Sequence, residues 1–290
     1  MTLRITMRST ALPLLLCLLG SASAVMAQED PATTPAKVLV INREYTKPGK
    51  GGALHEKTEG AYVAAAKAGK APFHYLAATS MTGPDRALFF VGYPSFTAWA
   101  DENKTMDAMP TTGASLDKAM VPDGDLLSET DTSVWIRDDQ QSYNPKLVPG
   151  TRFLDLSLYR IKPGHEAEWS EAVKLVKAGY MKAVPEATWT VYSEYYGTYG
   201  SAYLVITPLK SVAELDDHMM GDRKWVEAMG KDGMKKLDEL MASCVSEEQQ
   251  NLFRISPKMS IPPVAWINAE PDFWAPKPTP AKKPAAKPAP

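Results

Sequence analysis

Cysteine is almost missing from this chain. Cys17 and Cys244 are its only two in 290 residues, which argues against a disulfide-stapled scaffold and leaves stability to buried cores. Histidine is nearly as scarce, at four. Neither His55-Glu56-Lys57-Thr58-Glu59 nor His165-Glu166-Ala167-Glu168 supplies the second histidine of a zinc helix, so no metal is expected. There is no Gly-x-Ser-x-Gly elbow, which argues against a classical hydrolase. Gly49-Lys50-Gly51-Gly52 lacks the Gly-Lys-Ser/Thr ending of a phosphate loop and reads as a turn. Long apolar runs are absent beyond the first, so no transmembrane segment is expected in the mature protein.

That first run identifies the beginning of the chain. Arg4 and Arg8 precede an apolar stretch over residues 11–20 and small residues ending at Ala27, the pattern of a secretory signal over residues 1–27. The expected location is periplasmic or secreted. Residues 28–36, with Pro31 and Pro35, read as a linker. Residues 276–290 are nearly all Pro, Ala and Lys, a composition with nothing to bury, so a disordered tail is expected, open to weak contact with an anionic envelope surface. The whole chain holds 32 Lys and Arg against 34 Asp and Glu. Signal and tail both carry basic residues and no acid, so the body between them is the more acidic, and nucleic acid is not an expected partner.

What the chain has in abundance is itself. Val38-Leu39-Val40-Ile41 followed by Lys47-Pro48-Gly49 returns 115 positions later as Leu154 to Leu158 followed by Lys162-Pro163-Gly164. Ala87-Leu88-Phe89-Phe90-Val91 falls on Ala202-Tyr203-Leu204-Val205-Ile206 at the same offset. Further along, Trp135-Ile136-Arg137 aligns with Leu252-Phe253-Arg254. A repeat this long means duplicated domains, not a solenoid, and places units at residues 37–145 and 152–262. In the second, Leu154, Leu156 and Leu158 alternate as in a strand. Trp169, Val173, Val176 and Tyr180 follow as one helical stripe that Pro185 ends. Two strands lie about Tyr192 and Leu204, and Ser211 with Glu214 has capping-box spacing for a later helix broken at Gly221, Gly230 and Gly233. The last strand is expected over residues 251–255. The first unit has the same order, with a variable stretch over residues 110–124.

The order βαββαβ predicts an α+β fold of two tandem ferredoxin-like units, their sheets face to face and their helices outside. These units resemble the dimeric α+β barrel superfamily. The second half, through Leu158-Tyr159-Arg160-Ile161-Lys162-Pro163-Gly164, Trp169 and Gly221-Asp222-Arg223-Lys224-Trp225, resembles the NIPSNAP family. The resemblance implies an intramolecular barrel. For activity it implies a range from small oxygenases, haem-handling and isomerising or dehalogenating enzymes to proteins of no known chemistry.

Candidate function follows from where polar groups meet an inter-sheet space. Trp189, Tyr192, Tyr195 and Tyr196 cluster about the second and third strands of the second half, and Arg137 and Arg254 stand at matching places on the last strands, a ligand-binding set for an apolar or aromatic small molecule. His74, expected inside the second strand on the face of Leu76, is the candidate for an enzymatic alternative: an oxygenase or isomerase without cofactor, or a haem-handling protein. The primary expectation is no cofactor. Lys50 and His165 read as solvated residues after the turns, the methionines beside His218 as core, and Cys244 as a small buried hydrophobe.

Overall fold

The computed structural model describes residues 33–197 and 199–275. The expected signal peptide, most of the linker and the Pro/Ala/Lys tail lie outside these residues.

The first half runs β1 (Val38–Thr46), α1 (Ala53–Gly69), β2 (Leu76–Ser80), β3 (Arg86–Tyr93), α2 (Phe96–Asp107), α3 (Pro110–Met120) and β4 (Leu127–Tyr143). The second runs β5 (Phe153–Ile161), α4 (Glu166–Ala183), β6 (Trp189–Tyr196), β7 (Ala202–Leu209), α5 (Glu214–Cys244) and β8 (Val245–Ile255), followed by α6 (Val264–Ala269) and α7 (Pro271–Trp274). The fold is mixed α+β. All eight strands pair antiparallel into one closed barrel, in the order β1-β3-β2-β8-β5-β7-β6-β4. Among the described residues no helix is long and apolar enough to cross a membrane.

Closure agrees with the barrel that the resemblance implied, and it adds hydrogen-bonded edges to the two sheets expected to face each other. Strands from the two halves hydrogen-bond along two seams, β2 with β8 and β4 with β6. The physical reason is that each seam pairs strand edges that two separate sheets would leave unsatisfied. The inner faces still oppose one another across the barrel. Alternate residues point inward, so Leu39 and Ile41, Leu76 and Ala78, Leu154 and Leu156, Leu204 and Ile206, and Phe253 and Ile255 form one core around the fully buried Trp135.

The outer faces are covered by helices. Val63 and Ala66 of α1 and Leu116 of α3 pack on Tyr75, Ala77, Ala87 and Phe89. Trp99 of α2 packs against Val38, Val40 and Tyr93. Trp169 of α4 and Cys244 at the end of α5 bury Ile161, so Cys244 is a core residue.

Several local expectations change. Residues 110–120 are helical, because Pro110 occupies the first turn, where its missing N–H costs nothing, and so starts α3 instead of marking an irregular stretch. Ser95 caps α2 by accepting from the Ala98 amide at 3.1 Å. Ser211 does not play that part: α5 begins after a turn, with Ala213 at its N-cap, and Glu214 accepts from the Lys210 amide at 3.1 Å. Of the three glycines expected to break α5, only Gly230 leaves helical geometry, at φ 65°. Met219 and Met220 are solvent-exposed, not core. The last strand is longer than expected, spanning Val245–Ile255.

Candidate functional site

One end of the barrel holds a cavity of about 490 Å³, within the range of small-molecule sites. Its floor is apolar, made of Leu39, Leu76, Phe90, Leu154 and Ile206 from five strands. Segments outside the barrel strands complete its walls, among them Lys146 and Leu147 between β4 and β5. From the C-terminal side comes Trp266 of α6, whose ring is 5.6 Å from that of Trp274. Arg152 fixes this segment by pairing with Glu270 at 2.9 Å and by lying 3.8 Å over the ring of Phe273. From the N-terminal side comes residues 34–37, strapped across the mouth. The Tyr192 hydroxyl donates to the Ala36 carbonyl at 2.9 Å, the Arg137 guanidinium donates to the Pro35 carbonyl, and the Arg137 amide donates to the Lys37 carbonyl at 2.9 Å.

The polar lining is basic. Arg137 is buried and also meets Asp139 through Nε at 2.6 Å. Lys37, Lys146 and His74 stand exposed at the rim. No acidic residue lines the cavity among the described residues. Burial pushes the Tyr192 hydroxyl pKa up, against the opposing pull of the Arg137 charge, so this group holds its proton and acts as a hydrogen-bond donor, not a base.

The structure therefore gathers His74, Arg137 and Tyr192 and leaves the other four candidates elsewhere. His74 sits just before β2, at the rim instead of within the strand, although on the expected inner side. Trp189 lies on the outer face between Tyr143 and Tyr180, donating to the Gln141 carbonyl at 3.0 Å. Tyr195 and Tyr196 are exposed at the last two positions of β6, with Tyr195 against Phe96. Arg254 points outward over Phe153. Its inward neighbours are Phe253 and Ile255, whereas on β4 the inward residues are Trp135 and Arg137. Aligning Arg137 with Arg254 was thus one residue out of register, and in a strand one residue reverses the face. Trp266 and residues 34–36 of the strap lay outside the predicted units. Their sequence signal was slight: a tryptophan followed by Phe273 and Trp274 in a stretch otherwise resembling a linker.

A second polar cluster lies outside the barrel. His55 and Glu59, four residues apart on α1, share one helix face with buried Val63 and Ala66 and head that stripe. They meet Glu44 on the outer side of β1 and Asp123 in the turn after α3. His55 Nε2 is 2.9 Å from Glu44 Oε2 and 3.5 Å from Asp123 Oδ1, and Thr58 donates to Asp123 Oδ1 at 2.6 Å. Burial works against the charged imidazole, but the hydrogen bonds and negative charges of Asp123 and Glu44 outweigh it and raise His55 to about 10. Burial, reinforced by the charges of Glu44 and Asp123, raises Glu59 to about 8. The missing second histidine had set this helix aside in the sequence. Asp123 was hidden in the stretch read as variable.

No family model matches the chain, and no curated protein matches it. Among solved structures it is similar to an anthrone oxidase-like protein, at 13% identity and a TM-score of 0.48 over 77% of this chain and 94% of that one. It is similar to a chlorite dismutase variant from Candidatus Nitrospira defluvii, at 9% identity and 0.46 over 78% and 94%. A haem-binding protein from Thermus thermophilus gives 10% identity and 0.41 over 78% and 93%. At these scores the likenesses carry no argument about chemistry. The fold is established by the strand pairing itself.

Proposed function

We propose that this protein is an exported binder of small molecules with an apolar or aromatic body and an anionic or acceptor group, held in the barrel mouth. The observation that carries this reading is the cavity: an apolar floor and a basic rim without a carboxylate. The body would displace water from Leu39, Leu76 and Phe90, where each Å² of apolar surface removed from water gives about 25 cal/mol. The anionic end would face Lys37 and Lys146. We read the barrel as two tandem ferredoxin-like units. In support, β4-β1-β3-β2 and β8-β5-β7-β6 run consecutively, and β5 begins and ends 115 positions after β1. The NIPSNAP-like residues fall on β5, its turn, α4 and the α4–α5 contact, away from the cavity, and so bear on shape instead of chemistry.

Anilinonaphthalene sulfonate, which combines an aromatic body with an anion, is a suitable probe. Leu76→Trp should fill the floor and weaken its binding at least tenfold, about 1.4 kcal/mol. Replacing Lys37 and Lys146 together with Gln should weaken the sulfonate while sparing a neutral naphthalene analogue. Unchanged affinity in Leu76→Trp would overturn the reading.

One observation favours a second reading, the haem-handling or oxygenase alternative: His74 is the only imidazole in the cavity lining among the described residues. The donor set fits a haem, with His74 to hold the iron and Lys37, Lys146 and Arg137 to face carboxylates. A bound haem would supply redox chemistry at its iron. A Soret absorption band in the purified protein, lost in His74→Gln, would select this reading. Colourless protein that takes up no added haem would reject it.

A further inference from the structure

The cluster of Glu44, His55, Glu59 and Asp123 has no part in the barrel cavity, and its composition is costly for a folded protein. Three carboxyl groups and one imidazole offer donor atoms that all lie within 4.8 Å of one another. Among the described residues no lysine or arginine pairs with any of the four. Surface anions of this density would be solvated. Here Glu59 is 2% exposed and Asp123 is fully buried.

Two oxygens of this cluster make no hydrogen bond at all. Glu59 Oε1 and Asp123 Oδ2 are both buried without a partner. An unsatisfied buried carboxyl oxygen costs about 1–3 kcal/mol, more when charged, and two such oxygens in one cluster need a common explanation. Helix and strand geometry cannot relieve them. A cation can.

We propose that Glu44, His55, Glu59 and Asp123 form a binding site for one divalent first-row metal ion, of the Zn²⁺ or Mn²⁺ class. The spacing suits such an ion. With metal–ligand bonds of about 2.1 Å, adjacent donors on one ion stand about 3.0 Å apart in an octahedron and about 3.4 Å apart in a tetrahedron. The 2.9 and 3.5 Å separations from His55 Nε2 to Glu44 and Asp123 fall at these values. One nitrogen with three carboxylate oxygens is a borderline donor set, which favours Zn²⁺, Mn²⁺ or Fe²⁺ over the all-oxygen cages of Ca²⁺. Thr58, donating to Asp123, supplies the kind of outer contact that orients a ligand. The ion would join the consecutive elements β1 and α1 to the turn between α3 and β4, which lies far along the chain. The Glu44 side chain, 12% exposed, marks the side nearest solvent.

The test uses the full mature chain after treatment with a chelator, titrated with Zn²⁺, Mn²⁺ or Co²⁺. One equivalent should bind per chain, the melting temperature should rise with metal concentration, and Co²⁺ should give a visible d–d band. His55→Gln should abolish that band. Glu59→Gln keeps size and removes no hydrogen bond of Oε1, so it should fold, yet weaken Zn²⁺ or Mn²⁺ at least tenfold. His165→Gln, altering an exposed imidazole beside Glu168, should change neither reading. Absence of a stoichiometric site in the wild-type protein overturns the proposal, as does equal affinity in Glu59→Gln. Since the cluster and the cavity share no residue, either proposal can fail without the other.

Discussion

Glu59 and His55 make the metal-free protein sensitive to pH in one direction. The folded-state pKa of Glu59, about 8, is raised above the ordinary 4.5, so its protonated form is favoured by folding. The stability this confers is complete below about 4.5 and is lost as pH rises through 8. His55, raised to about 10 from 6.5, contributes fully below about 6.5 and loses its contribution as pH rises through 10. Both groups bind more protons folded than unfolded, so both lower stability with rising pH. In chelator-treated protein the urea midpoint should fall between pH 6 and pH 9, and Glu59→Gln should flatten the part of that fall below pH 8. A midpoint that rises with pH, or a variant with the wild-type slope, would contradict the assigned environments.

At the scale of elements, two glycines inside helices give opposite expectations from the same substitution. Gly179 of α4 is buried against α5, where an added Cβ would stand 2.6 Å from Trp225 Nε1 and 2.8 Å from Met229 Sδ. Trp225 is held there by donating to the Val176 carbonyl at 3.2 Å and by stacking on Tyr180 at 5.5 Å. Alanine gains about 1 kcal/mol in helix propensity, but overpacking a fixed indole costs about 1–3 kcal/mol. Gly179→Ala should therefore lower the melting temperature. Gly60 of α1 has open space around it, so Gly60→Ala should raise it, by about 2–4 °C if the full propensity gain of about 1 kcal/mol is realised. A thermal scan of both variants checks the pair, and a rise for Gly179→Ala would mean that α4 and α5 do not pack as described. These elements were largely legible, because alternation in β5 and the stripe through Trp169 are local signals. α3 was not, since Pro110 can end a helix or begin one and only the surrounding packing decides. Nor were α6 and α7, which are too short for periodicity to register; what they contribute is Trp266 and Trp274, buried by contacts with strands far away in sequence.

At the scale of the whole molecule the family resemblance implied a barrel, but the residues did not specify its seams. Self-similarity carries the strand order within each half, but the two seams are long-range pairings that no local pattern encodes, and the register of β8 escaped by one residue. The candidate site suffered accordingly: His74, Arg137 and Tyr192 were legible as polar or aromatic residues of expected strands, while the cluster around His55 needs four residues from three segments. Closure also predicts where the molecule opens. The β2–β8 seam has only three registered pairs, from Ala78 with Ile255 to Ser80 with Phe253, and Ala77 and Ala78 offer little side-chain surface to hold it. The β1–β4 pairing has nine. Opening the short seam exposes less apolar surface, so it should require less free energy than global unfolding. In native-state hydrogen exchange the amides of Met81 and Ser256, which donate to Leu252 and Ala77 across this seam, should exchange faster than those of Val40 and Val134. The cavity is lined by His74, Tyr75 and Leu76 on one side of the seam and by Pro263 and Trp266 on the other. A molecule bound there should slow exchange of the seam amides while leaving unchanged the part of the β1–β4 pairing remote from the cavity, around Arg43 and Asp131. Equal exchange across both pairings without ligand would show that the barrel opens only as a unit, and protection confined to the β1–β4 pairs around Arg43 and Asp131 would place the ligand elsewhere.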